Sequence, residues 1–193
     1  MQIYLASQSP RRRELLQQIG VRFRVLAPDV NESPLARETP EDYVLRIARI
    51  KAEVTWMRVA ERRMQPHPVL AADTAVILGR HILGKPTTDA AARAMLQALS
   101  GRSHRVLTSV AVAYENRLKL ATSETRVKFR RLAAEEIAHY VASGEPHDKA
   151  GGYGIQGLAA SFIARIEGSY SGVMGLPLFE TARLLKTFGI PVL

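Results

Sequence analysis

Strand-like and helix-like stretches interleave along the whole chain, and a chain that alternates in this way is confined to the α/β class. A short buried strand over residues 3–6 leads through a loop to a helix over 10–19, which Gly20 ends. Residues 23–26 alternate and suit a second strand. "APDVNESPLARETPED" is loop-like. Thr39 then suits an N-cap, with Pro40 at the first helical position and Asp42 three residues on, so a helix is expected over 40–59. A buried strand over 69–72 ends at Asp73, and 75–78 with 81–83 reads as a hairpin turning at Gly79-Arg80. A helix over 89–99, a long hairpin of 106–114 with 119–129, and a helix over 134–142 stopped by Gly144 come next. "GEPHDKAGGYGIQG" is a loop, 162–166 a strand and 178–188 the last helix.

Length and composition bound what this framework can do. With 193 residues the chain makes one domain, or two closely joined lobes, around a substantial core. Hydrophobic residues at 47% and charged residues at 23% are ordinary for a globular protein. No apolar run approaches a membrane span, and basic residues begin only after Pro10, so no signal peptide is expected. The absence of cysteine excludes disulfides, thiolate metal sites and a cysteine nucleophile, and is in keeping with a cytoplasmic protein. The five histidines form no H-x-H or H-E-x-x-H pair, which argues against a histidine metal cage. A net charge of +9 points to a phosphate-bearing partner: nucleic acid, nucleotide or anionic membrane. The basic residues are scattered, so charge alone does not choose among these.

The stretch "SQSPRRRELL" sets three arginines against the physics of its own helix. Ser9 suits the N-cap and Pro10 the first helical position, yet Arg11, Arg12 and Arg13 fill the first turn, the positive end of the helix dipole. Helical spacing sets Arg12 on the face of Leu15, Leu16 and Ile19, pointing inward; Arg11 flanks that face and Arg13 lies outside. One reading is a solvated basic turn. The other is an anion held by Ser7, Ser9, the free N–H groups and two guanidinium forks. On the second reading the empty cluster is mildly strained, and Arg12→Ala leaves the empty protein about as stable as before.

Other candidates are individually weaker. Asp73 closes a buried apolar run, where a carboxylate meets ligands if the strand belongs to a parallel sheet, and apolar flanks favour a raised pKa; a simple turn with Thr74 is the alternative. Lys85 in "LGKP" lacks the following hydroxyl of a P-loop, and Lys51 stands alone among apolar helix positions. "GYGIQG" spells G-x-G-x-x-G but follows a polar loop and precedes a strand, so it is not a dinucleotide fingerprint. Its glycines, with Asp148, Lys149 and Gln156 alongside, form either a tight structural loop or one whose backbone approaches a ligand closely.

Taken together, "LASQSPRRRELL", "AADT", "LGKP", "LSGRSHRVLTSVAV", "YVASGEPHDKAGGYGIQG" and "GSYSGVMGLPL" resemble, in order and over nearly the whole chain, the Maf family of septum-formation-inhibitor-like nucleotide pyrophosphatases. The resemblance implies a single Maf-like domain over 1–193, with a mixed central sheet flanked by helices and two lobes around a deep nucleotide cleft, as in Maf and ITPase-like folds. It implies hydrolysis of nucleoside triphosphates to monophosphate and pyrophosphate. "DKAGGYGIQG" is similar to the branch preferring dTTP and UTP. By the same resemblance Ser7, Arg11 and Arg12 bind phosphate, with Lys51 and Lys85 beside them. Asp73 is the catalytic aspartate, and Arg11, Thr74 and Gln156 select the base. A divalent cation, Mg2+ or Mn2+, would sit at Asp73 and Glu32; where the family often has two acidic residues this chain reads Asn31-Glu32.

The chemistry agrees with those residue types. Splitting an α–β phosphoanhydride needs cations against a polyanion and an activated water, and a Gln amide matches the carbonyl and N3–H edge of uracil or thymine. Such an enzyme needs neither membrane nor nucleic acid and is compatible with a homodimer. The rival reading is a non-catalytic basic protein that binds nucleic acid or regulates cell division.

Overall fold

The computed structural model describes residues 2–192. Seven strands form one mixed sheet: β1 (Gln2–Leu5), β2 (Arg22–Val25), β3 (Val69–Leu78), β4 (His81–Leu83), β5 (Ser103–Tyr114), β6 (Arg117–Phe129) and β7 (Ile163–Glu167). Six α-helices flank it: α1 (Pro10–Gln18), α2 (Pro40–Glu61), α3 (Asp89–Leu99), α4 (Ala134–Ala142), α5 (Tyr170–Met174) and α6 (Leu178–Thr187). The strand order is β2-β1-β3-β5-β6-β7, with β4 hydrogen-bonded to β3. β1 runs parallel to β2 and β3, and the other pairings are antiparallel.

Local chemistry accounts for the helix starts. The Ser9 side chain accepts from the Arg12 N–H, Thr39 caps α2 through the Asp42 N–H, and Thr88 caps α3 through the Ala91 N–H. The five-residue helix α5, capped by Ser169, was not expected from the sequence. It is too short to show a helical period. The expected loop over 144–157 is partly wound into 3₁₀ turns at Glu145–Asp148 and Ala150–Gly152.

Side-chain alternation divides the sheet into two faces. Val69, Ala71, Ala75 and Ile77 of β3 turn toward α2, where they meet Val44, Ala48 and Ala52. Leu70, Ala72 and Val76 turn the other way. Leu70 and Ala72 pack with Leu15 and Leu16 of α1 and Leu184 and Leu185 of α6, and Val76 packs with Leu96, Leu99 and Tyr140 of α3 and α4. Two helix groups thus cover different halves of one face, while the long α2 covers the other.

The position of Asp73 differs from the expected strand end, and it locates the site. Asp73 does not end a strand. It lies inside the ten-residue β3, because residues 69–72 and 75–78 are one continuous strand held along its length by β5. On its other edge β3 pairs with β1 only as far as Leu5 opposite Leu70, and with β4 only from Val76. Residues 71–75 therefore lie beyond the end of β1 and before β4. The carboxyl end of a neighbouring parallel strand, rather than of its own, opens the crevice beside Asp73.

Candidate active site

A cleft of about 870 Å³ opens at that gap. Its walls come from the loop after β1, the loop after β2, α2, β3, the loop after β4 and the glycine loop. Six basic and four acidic side chains line it, a balance that suits an anionic ligand.

The centre of the site is ionic. The ammonium of Lys51, buried on α2, lies 2.8 Å from Asp73 Oδ1 and 2.7 Å from Glu32 Oε1. Burial pushes the Asp73 carboxyl above the usual range; Lys51 and, less strongly, Arg12 oppose that shift. Glu32 is fixed from behind: the Tyr43 hydroxyl donates to the Glu32 carbonyl at 3.0 Å. Burial, and then the charges of Asp73 and Glu32, push the Tyr43 hydroxyl up to about 12.

Arg12 points inward from α1, as its helical position requires. Its Nε donates to the Gly175 carbonyl at 2.7 Å, and its other nitrogens reach Ser7 Oγ and Thr74 Oγ1, each at 3.2 Å. Thr74 is linked onward to Thr108 at 3.0 Å, whose hydroxyl donates to the Gly172 carbonyl. Arg12 is thus a bracket between α1, β3 and α5. Against the expectation that the empty cluster is mildly strained and that Arg12→Ala leaves the empty protein about as stable, protein oxygens already oppose its charge. Arg11 reaches across to Asp148 at 3.5 Å, and Arg13 stays exposed against the Gln8 carbonyl.

Ser7, Arg11, Arg12, Glu32, Lys51, Asp73, Thr74 and Lys85 all line the cleft, so the fold gathers eight of the nine expected positions. Gln156 is exposed and lies outside the lining, although its neighbours Gly154 and Ile155 contribute to it. Tyr43, Arg58 and Lys149 line the cleft without having been singled out as site residues. Tyr43 was legible in principle, since Tyr43, Ile47 and Lys51 follow one helical stripe.

The donor set can be tested against a divalent cation. Two hard carboxylate oxygens, from Asp73 and Glu32, converge on one cationic centre, which the Lys51 ammonium occupies here. No group of three His, Cys, Asp or Glu gathers among the described residues. Two carboxylates leave most of an octahedral shell to phosphate and water, the manner in which Mg2+ is commonly held. With the Lys51 ammonium withdrawn from the point between them, and phosphate and water completing the shell, Asp73 and Glu32 fit such an ion.

A family model described as Maf-like protein matches residues 2–188. The chain is 52% identical to a dTTP/UTP pyrophosphatase of Nitrosomonas europaea, over 98% of this chain and 96% of that protein. It is 56% identical to a dTTP/UTP pyrophosphatase of Methylobacillus flagellatus, over 98% and 94% respectively. Among solved structures, the Staphylococcus aureus Ham1 protein aligns with a TM-score of 0.46 at 14% identity, over 67% of this chain and 72% of that chain.

Proposed function

The chain belongs to the Maf family, and on that premise we propose that it acts as one domain to hydrolyse dTTP and UTP to the monophosphate and pyrophosphate. The observation that carries this reading is the buried Asp73, held by Lys51 at an opening in the sheet and ringed by arginine and lysine. The names of its relatives support the same substrates.

The residues divide the work as follows. Ser7, Arg11, Arg12 and Lys85 receive the phosphates, and Lys51 neutralises charge where the anhydride is cut. Asp73 takes a proton from the attacking water as the new P–O bond forms and the α–β bridging bond breaks, releasing pyrophosphate. Asp73 and Glu32 would hold Mg2+ or Mn2+, which supplies charge neutralisation and orients phosphate oxygens. Thr74, Arg11 and the glycine loop bearing Gln156 select the base, so Gln156→Ala lowers dTTP and UTP turnover while narrowing the gap to CTP. An equal loss on every nucleotide would make Gln156 structural. No described helix is long and apolar enough to cross a membrane, and we infer action on the cytoplasmic nucleotide pool.

The test is a panel of nucleotides assayed for pyrophosphate release, with and without EDTA. Release from dTTP and UTP that EDTA abolishes supports the proposal. No release, together with steeply salt-dependent binding of DNA or RNA, would favour the non-catalytic reading.

A further inference from the structure

Beneath the glycine loop lies a buried pair that the chemistry above does not use. His104, on β5, is 2% exposed, and its Nε2 is 2.7 Å from the Tyr153 hydroxyl. The two rings meet edge-on at 5.4 Å between centroids, and both meet Phe129 edge-on, at 5.2 Å and 4.8 Å. Nδ1 of His104 is buried without a hydrogen-bond partner among the described residues. An apolar side chain would fill this aromatic nest without losing the hydration of a ring nitrogen. What the histidine adds, and an apolar residue cannot, is the single hydrogen bond to Tyr153.

That bond falls where the loop meets the cleft. Tyr153 lines the wall together with Gly154 and Ile155, and Gln156 follows directly. The loop is tied at its start, where the Gly151 N–H donates to the Gly84 carbonyl at 3.0 Å. Toward its end the loop closes on its own start, where the Leu158 N–H donates to Glu145 Oε2 at 2.9 Å. Between these ties the Gly154 N–H donates to the Tyr140 hydroxyl at 3.3 Å, a long bond. The short contact from Tyr153 to His104 is therefore the shortest hydrogen bond from the middle of the loop to the sheet, and it adds direction to the packing of the buried Tyr153 and Ile155.

Resting on the pyrophosphatase reading above, we propose that His104 and Tyr153 are positioning residues for base selection: their hydrogen bond sets the height at which residues 154–156 meet the pyrimidine ring. Neither touches the reacting phosphates. The pair acts through the loop, on substrate affinity and choice rather than on bond cleavage.

Tyr153→Phe keeps the ring and deletes the hydroxyl. The expected result is a KM for dTTP raised several-fold, with roughly tenfold as the ceiling if the whole net worth of the hydrogen bond holds the loop in its binding position. The preference for dTTP over dCTP shrinks, while kcat stays within about twofold, as for lost positioning rather than lost chemistry. His104→Leu does the same, and the double variant adds nothing further, because both delete one interaction. His104→Gln, whose amide can reach the hydroxyl, recovers part of the preference. Hydrogen exchange without nucleotide supplies a readout independent of activity: amides of residues 154–158 exchange faster in Tyr153→Phe than in the parent. A variant that melts lower but keeps the parent's KM and preference would overturn the proposal, as would a fall in kcat alone. If the parent releases no pyrophosphate, the functional reading fails, and unchanged exchange in Tyr153→Phe would then overturn the pair's hold on the loop.

Discussion

Asp73 sits on an open strand edge with one ammonium against Oδ1, and this arrangement separates its role from that of its neighbours. Asp73→Asn keeps the shape and removes the proton acceptor, so kcat should drop at least ~100-fold, the scale of a lost general base. Affinity for dTTP should be kept or improved, since one negative charge beside the phosphates is gone; steady-state kinetics and calorimetric titration check both, and near-normal turnover would remove Asp73 from its role. Arg12 and Arg13 are adjacent in sequence and opposite in consequence. Arg12→Ala deletes bonds to Gly175, Ser7 and Thr74 and should cost the empty protein on the order of 2 kcal/mol. It should also shrink the rise in Tm that dTTP confers. Arg13→Ala should do neither, because Arg13 is exposed and its side chain's one hydrogen bond among the described residues goes to the Gln8 carbonyl. Equal losses in the two variants, read by thermal melting with and without nucleotide, would sink the facing argument.

Among the elements, α2 and the glycine loop carry most of the site. α2 brings Tyr43 and Lys51 along one stripe to the α2 face of β3, where Asp73 points, while Thr74 and Arg12 meet on the opposite face. Only a strand with a free edge lets one cleft reach side chains from both faces. The loop is pressed close to that strand. Gly151 has φ of +70°, and a Cβ there would lie 2.8 Å from Val76 Cγ1. Gly151→Ala is therefore expected to cost about 1–3 kcal/mol from backbone strain and crowding, and to raise KM by lifting the loop. Gly144→Ala has the same sign of φ but open space around it and should lower Tm less, without touching KM. A comparison of melting and kinetics in the two variants tests this.

At the scale of the molecule, the buried histidine couples stability to pH. Burial pushes His104 down to about 4, so the folded protein keeps its ring neutral where the unfolded chain takes up a proton below about 6.5. Between those values the unfolded state binds more protons. Its contribution is thus fully present above pH 6.5 and is lost as pH falls toward 4, up to about 3 kcal/mol. Denaturant melts at pH 7.5 and 4.5 should record the loss, and His104→Leu should flatten it; parallel losses in parent and variant would contradict the assignment. The ring's packing against Phe129 and Tyr153 ties this dependence to the core that holds the glycine loop.

Local signals were strong enough to read the α/β framework from sequence. α3 and α4 match their expected bounds of 89–99 and 134–142, and the caps Ser9 and Thr39 fall where hydroxyl, proline and helical period coincide. The inward turn of Arg12 was legible for the same reason, since a helix fixes which residues share a face. The ion cluster was legible only through the family resemblance, which places Asp73 and Glu32 on one cation; the ion pairs that Lys51 makes with both were not. Glu32, Lys51 and Asp73 lie on three separate segments, and no spacing in the chain encodes their meeting. Asp73 read as a strand end because a carboxylate in an apolar run looks like a boundary. Continuous pairing with β5 made it a mid-strand residue, and the register of β1 against β3, which stops at Leu70, left an opening beside it. The partners of Arg12 were hidden likewise, with Gly175 lying 163 positions away. Sequence determined what repeats over a few residues; tertiary structure decided which charges meet, because pairing register and helix docking are set by burial summed over the whole sheet.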